Sequence, residues 1–238
     1  MTSPTTAIYQ LVLRHQINRN RVIVMGVTLG LFLVVSVLVA TNEGADGETM
    51  VQILAALGLS IAVPILSLVL ASAAIGEWVE DETLVYIWLR PISKLKIAAA
   101  ATAACLTVSL PATVLTTMVS AAIGSKFDLD TIVGAAVSTT IATLAYTSIF
   151  VALGALTRWA LISGFVYIFV WESLIARFGD GLARLSIRSY AASALQDFTK
   201  ISIDLGNRSS WAVYVIPLVI TVAGIGLTTL ILERKDVP

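Results

Sequence analysis

The chain has 238 residues, 58% of them hydrophobic and 13% charged, about half of the roughly 25% charged share of a soluble domain. So much apolar surface cannot be buried in a water-soluble domain of this size, and the excess must face lipid. Fifteen basic residues balance fifteen acidic ones, which leaves no general case for nucleic-acid binding; the single Cys105 and single His15 exclude an internal disulfide and a metal site built from several Cys or His ligands.

Residues 1–21 come first. Ile8, Leu11 and Val12, followed by His15, keep helical spacing within Thr5–Arg21, and Arg14, Arg19 and Arg21 gather toward its end. This predicts an amphipathic helix lying in the membrane interface, as a surface anchor or as a docking face for a cytoplasmic partner. Residues 22–238 read as one transmembrane domain. A helix needs about 20 apolar residues to cross hydrocarbon. Six stretches approach or reach that length: Val22–Ala40, Met50–Ile75, Ile97–Ile123, Thr131–Leu156, Ala160–Ala176 and Trp211–Leu232. The first is longer than the apolar part of a leader peptide and no small-residue cleavage pattern follows it, so it reads as a span. Pro64, Pro111 and Pro217 fall inside spans, where neighbouring helices can satisfy the backbone groups a proline frees. Spans three and four are rich in Ala, Ser, Thr and Gly, which lets helices approach closely and predicts that both are interior. The expected fold class is an all-α integral membrane protein: six transmembrane helices, an N-terminal amphipathic interface helix, and short external helices between spans five and six.

With six spans both termini share a side. That side would hold Arg14, Arg19, Arg21, Arg90, Lys94, Lys96, Arg158, Arg234 and Lys235, while the other holds Lys126, Arg177, Arg184, Arg188, Lys200 and Arg208. The short loops Thr41–Glu48 and Ser125–Asp130 carry few basic residues, which places both termini in the cytoplasm and the protein in the plasma or inner membrane. The basic segment 177–210 pulls against this assignment.

The segment between spans two and three, residues 76–96, carries the densest chemistry. Glu77, Glu80, Asp81 and Glu82 open it; Leu84, Val85, Trp88 and Leu89 make an apolar stripe; Pro91 stops the helix; Arg90, Lys94 and Lys96 close it. Acids at a helix N-terminus suit its dipole, so the pattern predicts a short amphipathic helix across the cytoplasmic face. A solvated loop is the alternative. Trp78 and Trp88 beside acids favour a protein contact.

The run Gly76-Glu77, Glu80-Asp81-x-Thr83-Leu84 and Arg90-Pro91-Ile92-Ser93-Lys94 resembles the loop after the second span of ABC-2 type transporter permeases, the membrane subunits of ATP-driven exporters. The sequence departs from that pattern at Glu82, where Gly is frequent, at Trp78, near a usual acid, and at Lys94, where Arg is usual. The resemblance implies a permease that forms its substrate path as a homo- or heterodimer and pairs with a separate ABC ATPase subunit. Glu77, Trp78, Glu80, Asp81, Thr83, Leu84, Trp88, Arg90 and Pro91 would then form the coupling contact. This chain would hold no cofactor, with ATP and Mg in the partner. In agreement, no G-x-x-x-x-G-K-[ST] loop is present, so the chain is not expected to be an enzyme.

The segment 177–210 is too polar to span. Phe178, Leu182 and Leu185, then Ala191, Leu195 and Phe198, keep helical spacing, and Arg177, Arg184 and Arg188 share one face, which predicts two short amphipathic helices at the outer leaflet. The arginines would meet lipid phosphates or an anionic or amphiphilic substrate near its exit. Glu172 is the only carboxylate near a span interior, a candidate either for pairing with Arg177 at the interface or for function. Two other classes compete with the permease. A secondary transporter or channel is disfavoured because spans one to four carry no midplane charge. A membrane-embedded lipid-modifying enzyme would have only the acids 77–82 as a site.

Overall fold

The computed structural model of the chain describes residues 4–16, 18–41, 47–80, 92–172, 174, 180–204 and 208–234. Their regular structure is helical throughout: α1 (Pro4–Gln16), α2 (Arg19–Ala40), α3 (Gly47–Ile53), a π-helical stretch (Leu54–Ala62) leading into α4 (Val63–Glu80), α5 (Lys94–Gly124) and α6 (Leu129–Leu156). Then come α7 (Ala160–Val166) with a π-helical end (Tyr167–Glu172), α8 (Asp180–Ala183), α9 (Ile187–Thr199) and α10 (Ser210–Arg234).

Among the described residues, five helices are long and apolar enough to cross a membrane: Arg19–Ala40, Gly47–Gly76, Lys94–Gly124, Leu129–Leu156 and Ser210–Arg234. The chain is consistent with a multi-pass membrane protein. The stretch expected as the fifth span is an apolar helix only over Ala160–Glu172; residues 173 and 175–176 of that expectation lie outside the described residues.

Helix α6 is the hub, packing against α4, α5, α9 and α10. Its most apolar stretch is 67% buried, as is that of Gly47–Gly76; α5 is at 50%, while α2 and α10 are at 11% and 22%. Span four is interior, as its small residues predict, but span two is as interior as span four. Glycine explains why the two can be so close. A Cβ at Gly154 of α6 would overlap the Ser72 carbonyl of α4, and Gly76 lies against Gly154 as well. At the next interface a Cβ on Gly224 of α10 would stand 2.8 Å from the Ser148 side chain. Thr113 and Thr143 hydrogen bond at 3.1 Å between α5 and α6, a polar contact suited to a setting where the alternative is hydrocarbon.

The prolines leave the helices unbroken. Helices α5 and α10 run through Pro111 and Pro217. Before Pro64 the chain widens into π-helical turns, with the Val63 N–H bonded to the Gly58 carbonyl. Pro64 has no N–H to give to Ser60, and the wider turn keeps its ring off the preceding carbonyls. Phe32 of α2 fits the bare face of Gly58 at 3.2 Å from where a Cβ would stand.

One end of the bundle, here the terminal end, holds Glu80, Lys94, Leu156 and Arg234; the Glu233 charge acts on Lys94 there. The opposite, distal end holds the turn between α5 and α6. Its Lys126 and Phe127 are left-handed (φ 55° and 67°), and Asp128 caps α6 by accepting from the Thr131 N–H at 2.9 Å and hydroxyl at 2.6 Å.

Helix α1 is held by protein. Ile8 and Val12 are buried, the Tyr9 hydroxyl pairs with that of Thr107 at 2.9 Å, and Gln16 Nε2 donates to the Leu70 carbonyl at 2.8 Å and Cys105 Sγ at 3.1 Å. Tyr9 and Gln16 lie about 10 Å apart along α1, while Thr107 and Cys105 are only about 3 Å apart along α5 at 1.5 Å per residue. Helix α1 therefore crosses α5 steeply, as a collar.

Candidate functional site

The expected coupling segment begins within α4. That helix continues without a break through Glu77, Trp78 and Glu80. The backbone of Glu77 and Glu80 thus belongs to the last turns of α4. The apolar span ends at Gly76, as hydropathy predicts, and the helix itself runs four residues further to Glu80. Asp81, Thr83, Leu84, Trp88, Arg90 and Pro91 lie outside the described residues. The chain re-enters with Ile92, which packs on the core, and Ser93, whose carbonyl accepts the Lys96 N–H at 3.0 Å as α5 begins. The α1 collar meets α4 at Leu70 and α5 at Cys105. At 1.5 Å per residue, α4 runs about 15 Å past that level to Glu80, and α5 starts about 16 Å beyond it at Lys94. Both flanks of the segment extend past the collar.

The second candidate region surrounds Glu172. Gly164 of α7 packs against Leu68, and the Tyr167 ring meets Phe150 edge-on at 6.0 Å, so the half-length helix climbs from the terminal end along α4 and α6. It ends in π-helical turns at Glu172, which is 1% exposed. Its carboxylate accepts from the Tyr167 hydroxyl at 3.1 Å, from the Ile187 N–H at 3.0 Å and from the Ser186 hydroxyl. The charges of Glu172 and Arg188 both act on Tyr146, a fully buried α6 residue stacked on Phe150 at 5.9 Å. Tyr146 lies about 12 Å along α6 from Gly154 and about 18 Å from Gly134. Glu172 is therefore placed near the middle of the bundle.

From there α9 goes on to the distal end. Its Leu195 and Phe198 sit over Gly134, and Ala194 clusters with Ile141 and Val213. Among the described residues, the passage between α6 and α10 thus holds α7, the single turn α8 and α9, with Glu172 closing α7 and capping α9. Every residue from Ser186 to Leu195 is buried. The helix expected here forms, and its first nine residues are packed within the protein. Its Ser-Tyr-Ala-Ala-Ser-Ala run supplies small side chains for close approach rather than a polar face. Arg184 and Arg188 do not share a helix face: Arg184 is exposed in the turn after α8, where its carbonyl accepts from the Tyr190 hydroxyl at 2.6 Å, whereas Arg188 is buried in α9. Ser186 separates them by starting a new helix, its hydroxyl accepting the Ser189 N–H at 3.3 Å. Arg177 lies outside the described residues, and the partners of Glu172 given above are hydroxyls and a backbone N–H.

Sequence reasoning passed over Tyr146, Tyr167 and Ser186. Tyr146 had a usable signal, as the sole phenol in a span of small and aliphatic residues. Among the described residues no group of three or more His, Cys, Asp and Glu side chains is placed to hold a metal ion. No protein-family model and no curated protein sequence matches this chain.

Proposed function

We propose that the chain is the membrane subunit of an ATP-driven exporter, as its resemblance to ABC-2 type permeases implies. In this reading it crosses the cell membrane six times with both termini in the cytoplasm, and the α7–α9 passage is the fifth crossing. It forms the substrate path as a dimer, and a separate ABC ATPase, which binds ATP and Mg, docks on the segment 76–96.

The observation that carries this reading is the pair of helices flanking that segment. Helices α4 and α5 run past the α1 collar and bracket a stretch that is acidic first and basic last. Such a stretch can meet a partner surface of complementary charge. In vesicles holding the chain together with its ATPase, Leu84→Glu should abolish ATP-driven export while leaving the chain folded; unaltered export would count against the docking role.

A secondary transporter is the second reading, and the observation favouring it is Glu172 buried near mid-bundle beside Tyr146 and Tyr167. Intramembrane acids are functional candidates by default. Against it, the carboxylate is already engaged by Ser186, Ile187 and Tyr167, which gives it a capping task. Proton-gradient-driven transport in vesicles without ATP, lost in Glu172→Gln, would favour this second reading.

A further inference from the structure

We propose that the groove between α2, α4 and the start of α7 binds one anionic phospholipid of the leaflet at the terminal end. This rests on the membrane location alone and not on the exporter reading. The groove has a volume of about 610 Å³, within the range of roughly 300–1,000 Å³ of sites that take small ligands. Its lining is mixed in chemistry. Val24, Ile65, Val69, Ile162 and Phe165 form an apolar wall. Arg21, Arg158 and Trp159 also line it and bring two cations to the groove.

Arg21 is a built part of the site. It is 9% exposed, and its Nη1 donates to the His15 carbonyl at 2.9 Å, which fixes the side chain against the end of α1. Arg158 is exposed in the turn between α6 and α7. Ser72 and Gly76 of α4 complete the lining. Two cations beside an apolar wall fit a phosphate with an acyl chain against that wall. Guanidinium groups bind phosphate oxygens through charge-assisted hydrogen bonds. The exposed Val24, Val27 and Leu31 continue the wall along α2, giving the chain a track beyond the groove. Trp159, 60% exposed, is an amphipathic ring of the kind that settles at headgroup depth.

The test uses the full chain, with any partner subunit it carries, in mild detergent. Native mass spectrometry after exchange into phosphatidylglycerol should show one lipid retained per chain, and far less after exchange into phosphatidylcholine. Arg158→Gln should lower phosphatidylglycerol retention about tenfold, as expected for losing one charge-assisted contact. Lys126→Gln at the distal end should leave retention unchanged. Adding phosphatidylglycerol to delipidated wild-type protein should raise its Tm, an effect weakened in Arg158→Gln. Equal retention of the two lipids, wild-type retention in Arg158→Gln, or no lipid retained would each overturn the proposal.

Discussion

The Glu172 carboxylate and the Ile187 N–H meet at 3.0 Å across a stretch of chain that leaves one helix and starts another. A carboxylate at a helix N-terminus satisfies backbone donors that have no partner within the helix and complements the dipole. The same side chain takes the Ser186 and Tyr167 hydroxyls. Glu172→Ala strands these donors in the interior and should lower stability by about 1–3 kcal/mol. Glu172→Gln keeps an acceptor and should lose less. Thermal unfolding of the two variants in detergent ranks them; equal stability of Glu172→Ala and wild type would remove the capping role.

Helix contact through glycine makes a paired prediction. A methyl at Gly154 would meet the Ser72 backbone, which cannot rotate away, whereas Gly226 has nothing within 4 Å of its would-be Cβ. Gly154→Ala should destabilise the bundle by about 1–3 kcal/mol through overpacking. Gly226→Ala should be neutral or gain up to about 1 kcal/mol from helix propensity. The two Tm values should therefore move apart.

The turn into α6 gives a pH dependence. The Thr131 hydroxyl and N–H hold the Asp128 carboxyl below its ordinary range. A carboxyl depressed in the folded state stabilises fully above its unfolded pKa of about 3.9, and that contribution disappears as pH falls through the lower folded value. Asp128→Ala should cost about 1 kcal/mol near neutral pH, as for a lost N-cap, and should narrow its deficit against wild type below pH about 4. Unfolding followed from pH 7 to pH 3 reads both. A deficit that widens on acidification would contradict the capping geometry.

Much of the bundle is legible in the residues. Apolar runs such as Val22–Ala40 and Thr131–Leu156 find their helices because a lipid-facing or lipid-depth helix must be apolar along its length. Their ends are read less well. Helix α4 carries Glu77 and Glu80 and α5 opens at Lys94, so both are longer than their apolar parts. The packing of α9 is read less well for a different reason. Ala191, Leu195 and Phe198 read as its apolar stripe, but Ser189, Ala192 and Ser193 look like a surface in sequence, and the approach of α6 and α10 makes them a core. The depth of Glu172 follows from Ser186 and Ile187 returning to it, a long-range meeting that no local spacing encodes. The segment 81–91, on which the resemblance rests most heavily, lies outside the described residues, so its role stands on chemistry and on the helices that flank it.

The α1 collar offers a check on how those flanks are held. Gln16→Ala removes the buried bonds to Leu70 and Cys105 and should loosen α1, giving faster proteolytic cleavage near residues 16–20 with about 1–2 kcal/mol of lost stability. Cleavage at the wild-type rate would show that packing of Ile8 and Val12 alone holds the helix.

Purification of the tagged chain at native expression level in mild detergent tests the central claim most directly, with Leu84→Glu run beside it. The account predicts a stoichiometric ATPase subunit on the wild-type chain, and a Leu84→Glu chain that keeps the wild-type Tm but loses that subunit. A stable wild-type complex lacking any ATPase, or an ATPase retained undiminished by Leu84→Glu, would contradict it.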